Sequence, residues 1–306
     1  MFKTQIMIKI IPSIVLVALF SLVSCNTKKK EKETKPETET ETIVSAMPKL
    51  QFLWETDSLM VTCESVLYDG ESKIIYVANV NQAPWEKDGN GFISTINTKG
   101  EVLDLKWAEN LSGPKGMGIH KGMLYVNDID RVVAIDMETR KEKHAFSVEG
   151  NPQLNDITVG KDAIYASSSA LDAIYKIQDT TITQVAKDSL GRLNGLLYQK
   201  EGIYYTASKS HNFGVFDENT NTFKNLTSNI GHGDGIVRLK NGDFIVSSWQ
   251  GEVFYIYSKD WSAIQLLDTR DKKINAADID FIPETQTLLV PTFFHNRVVA
   301  YKLLFE

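Results

Sequence analysis

Two stretches decide the fold: NGLLYQKEGIYYTA, Asn194–Ala207, and DGIVRLKNGDFIVSS, Asp234–Ser248. Each opens on a polar residue and a glycine, runs through a short apolar strand, turns on Gly, Asp or Lys, and returns as a second strand carrying an aromatic. The same pattern recurs as NDITVGKDAIYASS from Asn155, KGMGIHKGMLYVND from Lys115, ESVLYDGESKIIYVAN from Glu64 and DIDFIPETQTLLVPT from Asp278. In four units the aromatic lies ten positions after the leading residue: Lys115 to Tyr125, Asn155 to Tyr165, Asn194 to Tyr204, and Asp234 to Phe244. Glu64 to Tyr76 takes twelve, with a longer turn.

Each unit continues into a third strand, such as Ala173-Ile174-Tyr175-Lys176-Ile177 or Glu252-Val253-Phe254-Tyr255-Ile256, and most into a fourth, such as Thr181-Ile182-Thr183-Gln184-Val185. Four strands repeating every 40–50 residues or so make a propeller blade. No stretch keeps a helical apolar period, and a pair of immunoglobulin-like sandwiches predicts no such fixed offset. The expected fold is all-β, a six-bladed β-propeller of four-stranded antiparallel blades.

In such a fold the first strand of each unit borders the central channel. The leaders Glu64, Lys115, Asn155, Asn194, Asp234 and Asp278 should therefore form a ring at one mouth. Five of the six present oxygen acceptors, which suits a hard cation. Without Cys or His among the leaders, the ring argues against a structural zinc site. The same residues also serve as strand-end caps, because Asn and Asp favour turns. Trp85 and Trp249 fall in loops placed to overhang the channel, whereas His120, His211 and His232 hold no repeated position and read as turn or surface residues.

Outside the repeats, the chain of 306 residues carries a net charge of −6. That balance argues against a nucleic-acid partner, which requires a positive footprint. Lys3 and Lys9 precede an apolar run from Ile10 to Val23 that ends in small residues, too short for a comfortable membrane span. It closes on Leu22-Val23-Ser24-Cys25, which resembles the bacterial lipobox. The resemblance implies a lipoprotein signal peptide over 1–24, lipid on Cys25 and attachment to the bilayer at the bacterial cell envelope. Residues 25–48 alternate Thr and Glu after Lys28-Lys29-Lys30, so they read as a disordered tether. The propeller is expected over 49–306. Lipid on Cys25 would leave Cys63 without a disulfide partner.

Glu64 with Ser65-Val66, Asn155-Asp156, Asn194-Gly195-Leu196 and Asp234-Gly235-Ile236 together resemble the senescence marker protein and gluconolactonase family. Its members are six-bladed propellers that hydrolyse sugar lactones or related esters with a divalent metal. The resemblance spans about Lys49 to the C-terminus. It implies Glu64, Asn194 and Asp234 as metal ligands, Asp234 also as general base, and Asn155 as a substrate contact. It implies a divalent cation, Ca²⁺ first and Mg²⁺, Mn²⁺ or Zn²⁺ as alternatives, and a lactone, ester or sugar acid as partner of a monomer. Two positions depart from the family. Gln153, expected with Asn155 and Lys115 to contact the substrate, stands where an arginine often precedes the substrate asparagine, and Lys115 puts a cation among the leaders, where it would hold an anionic substrate group or take part of the cation site. The alternative is a noncatalytic propeller that binds a protein, glycan or small ligand at the envelope.

Overall fold

The computed structural model describes residues 46–306; the proposed leader, Cys25 and most of the proposed tether lie outside them. Among the described residues there are six four-stranded antiparallel sheets and a single short helix, the 3₁₀ turn Arg270–Lys272. None of the described helices is long and apolar enough to cross a membrane. The six-bladed propeller is therefore the fold.

In the first five blades the strands run in chain order from the channel outward. The innermost strands are Cys63–Asp69, Pro114–His120, Leu154–Val159, Leu193–Gln199, Gly233–Arg238 and, much shortened, Asp280–Ile282. Second strands such as Ile164–Ser168 and Phe244–Ser248 are buried throughout, because both their faces meet neighbouring blades. Outer strands such as Thr181–Lys187 are largely exposed on one face. The core consequently lies between blades. The aromatic at the fixed offset supplies much of it: Tyr204 of the fourth blade packs on Phe244 of the fifth, with ring centroids 4.6 Å apart.

The last blade borrows its outer strand. Pro48–Glu55, at the start of the domain, pairs antiparallel with Val298–Phe305 at its end. This pairing joins the two ends of the propeller within one sheet and completes the sixth blade. On the channel side, Asp278 N–H donates to the Glu64 carbonyl at 2.9 Å and joins the last blade to the first.

The sixth leader is corrected by this register. Ser247 Oγ donates to the Ala277 carbonyl at 2.7 Å, as Thr206 Oγ1 does to the Asp234 carbonyl at 2.8 Å. Ala277 thus takes the leading position in the last blade. Asp278 lies one residue further in, bridged to Ser65, whose hydroxyl donates to its carboxylate at 2.6 Å.

Cys63 is a buried free thiol, so the described residues hold no disulfide. Burial pushes its pKa up to about 12, which keeps it protonated and unreactive.

Candidate functional site

Glu64, Lys115, Asn155, Asn194 and Asp234 each occupy the second position of an innermost strand. All five line one cavity of about 430 Å³ at a mouth of the central channel, and every one is more than nine-tenths buried. The strand register gathers these residues. Directly after the leaders, the inner strands crowd one another around the axis. A Cβ built on Gly195 would lie 1.9 Å from the Asp234 carbonyl oxygen, and one on Gly116 would lie 2.5 Å from the Asp156 backbone. Only glycine permits that approach. The chain can then carry Asp156 and Asp278 at the equivalent positions of other blades, each facing a glycine.

The floor of the cavity concentrates charge. Lys115 Nζ lies 3.8 Å from Glu64 Oε1, and both side chains are buried. Burial pushes the Glu64 carboxyl above its ordinary range, with the Lys115 charge opposing. It pushes Lys115 below its ordinary value, with Glu64 and Asp234 opposing. Asp234 is raised well above the carboxylate range by burial first, then by the charges of Glu64 and Asp156. Asn155 is held in place by its Nδ2, which donates to Ser169 Oγ at 3.1 Å; that hydroxyl donates in turn to the Leu193 carbonyl at 2.7 Å.

Two floor oxygens are left over. Glu64 Oε2 and Asn194 Oδ1 are buried without any hydrogen-bond partner. An orphaned buried acceptor costs about 1–3 kcal/mol, so a pair of them in one cavity calls for an explanation. Oxygen donors of this kind, with the Asp234 carboxylate beside them, are the donor set of a hard cation. The Glu64 carboxylate is divided: Oε1 faces the lysine, and Oε2 is free. No cluster of three or more His, Cys, Asp or Glu side chains suited to a metal occurs among the described residues. A cation here would depend on the Asn194 amide as a third ligand.

Above this floor the wall is aromatic and basic. Trp85, Trp249, Phe293 and Phe294 line the cavity with Arg192, Lys209 and His232. Lys115 Nζ lies 4.4 Å from the Trp85 ring centroid and the Arg192 guanidinium 5.8 Å. Trp249 meets Phe293 and Phe294 edge to face at 5.6 and 6.1 Å. Both tryptophans stand where their loops were expected to overhang the channel. His232 differs from expectation: it reaches the cavity, against His211 at 5.0 Å between ring centroids.

Arg192, like Lys209, Phe293 and Phe294, lines the cavity without a mark in the repeat pattern. It stands two positions before Asn194, as Gln153 stands two before Asn155. Both adopt left-handed backbone, with φ of 71° and 50°, a strained conformation that concentrates at functional sites. Arg192 Nη1 donates to Gln153 Oε1 at 3.0 Å. An arginine of the next blade thus reaches Gln153. The signal was available, because the same offset from the next leader lands on Arg192.

At the other end of the channel, Asp156, Asp278 and Asp280 line a second cavity. Their carboxylates are engaged. Asp156 accepts from the Ile157 and Leu196 amides, Asp280 from Tyr68 and Phe281, and Asp278 from Ser65. Burial raises Asp156 to about 7 and Asp280 to about 6.

No family model and no curated protein matches this chain. Solved structures share the fold. A catalytically inactive variant of virginiamycin B lyase from Staphylococcus aureus, with quinupristin, is 14% identical, with a TM-score of 0.61 over 84% of this chain and 100% of that one. A candidate gluconolactonase is 13% identical, with a TM-score of 0.62 over 85% and 93%. A luciferin-regenerating enzyme is 14% identical, with a TM-score of 0.59 over 84% and 95%. At these identities the likeness extends to the architecture, and function has to be argued from the site.

Proposed function

We propose that this protein is a metal-dependent hydrolase of a small lactone or ester, working as a monomer at the channel mouth and held at the bacterial envelope through Cys25. The observation that carries the reading is the pair of unpartnered buried oxygens, Glu64 Oε2 and Asn194 Oδ1, in a cavity shared with Asp234. These three residues would hold the divalent cation, Ca²⁺ before Mg²⁺, Mn²⁺ or Zn²⁺ because every donor is oxygen. When bound, the cation supplies Lewis-acid polarisation of the acyl carbonyl.

The remaining chemistry belongs to the chain. Asp234 takes the proton of the attacking water as general base. Asn155, locked by Ser169, orients the substrate. Lys115 neutralises an anionic group on the substrate or the charge developing on its acyl oxygen, in a site where burial strengthens the attraction. Arg192, tied to Gln153, holds the part of the substrate nearer the rim.

The test is turnover of a panel of aldonolactones, aryl lactones and aryl esters by the metal-replete protein. Asp234→Asn should fold as the wild type does and lose at least about 10²-fold in kcat/KM, as for a missing general base. The alternative, a noncatalytic binding propeller, is favoured by one observation: Lys115 already faces Glu64 and satisfies part of its charge. A folded, metal-replete wild type inert across the panel would establish that alternative in place of the hydrolase.

A further inference from the structure

The ligand's chemistry is written on the wall of the cavity. A polyhydroxylated sugar needs polar partners on most of its faces, and the floor provides them in Glu64, Asn155, Asn194 and Asp234. The upper cavity is mostly aromatic: Pro84, Trp85, Trp249, Phe293 and Phe294 offer ring faces and edges, and the polar groups among them, Arg192, Lys209, Ser208 and His232, are chiefly basic. Phe294 keeps 64% of its surface exposed at the mouth, a cost in water that a ligand would relieve. Flat aromatic walls favour a flat apolar guest.

Charge selects the rest. Lys115, Arg192 and Lys209 bring three cationic groups to the cavity against the two carboxylates of Glu64 and Asp234. Lys115 is fully enclosed and lies over Trp85, with Arg192 near the same ring. Lys115 forms no hydrogen bond shorter than its 3.8 Å approach to Glu64, so its donors are available. A cation on Glu64 and Asp234 would cancel their charge and leave the basic groups in surplus. We infer that the site takes a planar aromatic molecule bearing an anionic group, a carboxylate foremost, with the ring between Trp85 and the Trp249–Phe293–Phe294 cluster and the anion on Lys115. This rests on the proposed cation site in one respect: calcium and the aromatic anion should each strengthen the other's binding, because coupling between sites is reciprocal.

Titration calorimetry on the purified protein, with and without calcium, tests it using three probes at pH 7. 2-Naphthoate has ring and charge, 2-naphthol has the ring alone, and gluconate has the charge alone. The expected result is 2-naphthoate binding at least about tenfold tighter than either control, a difference of about 1.4 kcal/mol. Lys115→Met should lose that preference over 2-naphthol. Trp85→Ala, at a half-buried loop position that leaves the blades intact, should weaken 2-naphthoate at least about tenfold and leave gluconate unchanged. Equal affinity for naphthoate and naphthol, or gluconate bound as tightly as naphthoate, overturns the inference. Failure of the metal reading looks different: naphthoate preference and its loss in both variants persist, while calcium neither binds nor changes the affinity.

Discussion

Replacing Lys115 by methionine removes the cation from the most buried ion pair in the domain and changes little else, since the two side chains are similar in length. At the observed 3.8 Å and an effective dielectric of about 20, the lost attraction is about 4 kcal/mol. Glu64 would be left in the floor without its partner, and breaking a buried pair from one side costs about 3–5 kcal/mol. The carboxylate can escape by taking a proton, so the cost must depend on pH. Lys115 holds the Glu64 pKa down against burial; without it the folded-state pKa rises further. The native state then binds a proton that the unfolded chain releases, and stability falls as pH rises, by up to about 1.4 kcal/mol per unit between the unfolded and folded pKa values. Urea unfolding of Lys115→Met should therefore show a loss of about 3–5 kcal/mol at pH 8 and a smaller one at pH 5. The double variant Glu64→Gln/Lys115→Met should recover most of the difference, because no buried charge remains. A single variant within about 0.5 kcal/mol of wild type at pH 8, with an unchanged pH slope, would refute this account of the floor.

Other expectations can be checked alongside it. Asp156 and Asp280 are raised by burial to about 7 and about 6, so their contribution to stability is complete below the unfolded carboxylate value and is lost as pH climbs through 6 and 7; the thermal midpoint of the wild type should fall between pH 5 and pH 8, and a rise over that window would contradict the assignment. Gly195→Ala places a Cβ 1.9 Å from the Asp234 carbonyl and 2.9 Å from Thr206 Oγ1; it should cost at least about 1–3 kcal/mol, whereas Gly70→Ala, with Tyr68 as nearest neighbour at 3.8 Å, should stay within about 0.5 kcal/mol of wild type. Cys25→Ser should move the protein out of the membrane fraction, and equal membrane association of both forms would remove the anchor from the proposal.

The repeat carried the fold because each blade repeats a polar start, an apolar strand and an aromatic at a constant offset, and tertiary packing uses all three. The same register brought five leaders into one cavity. It failed in the last blade, where Ala277 lacks the polar mark of the others and the nearest acid, Asp278, turns instead to fill the axial space beside Gly235 and Ser65. Pro48–Glu55 is illegible as a strand of the last blade for another reason. Its partner lies some 250 residues away, and an exposed outer strand shows no sharp apolar alternation. Arg192 and His232 carry no mark in the repeat pattern, since neither is a leader; without a repeated position His232 reads as a turn or surface residue. Two positions upstream the chain enters the innermost strands, and side chains there can turn into the mouth. The division of the Glu64 carboxylate between a lysine and an open face could not be read from spacing at all, since it depends on where Lys115 ends up in three dimensions.

The most direct test of the central claim is calcium titration calorimetry on wild type, Glu64→Gln and Asp234→Asn. The account predicts one calcium per chain in the wild type, with a Kd at or below roughly 10⁻³ M, and a loss of at least about tenfold in each variant. A wild type that takes up no calcium, magnesium, manganese or zinc at millimolar concentration, or one that binds calcium equally well in all three forms, would contradict it.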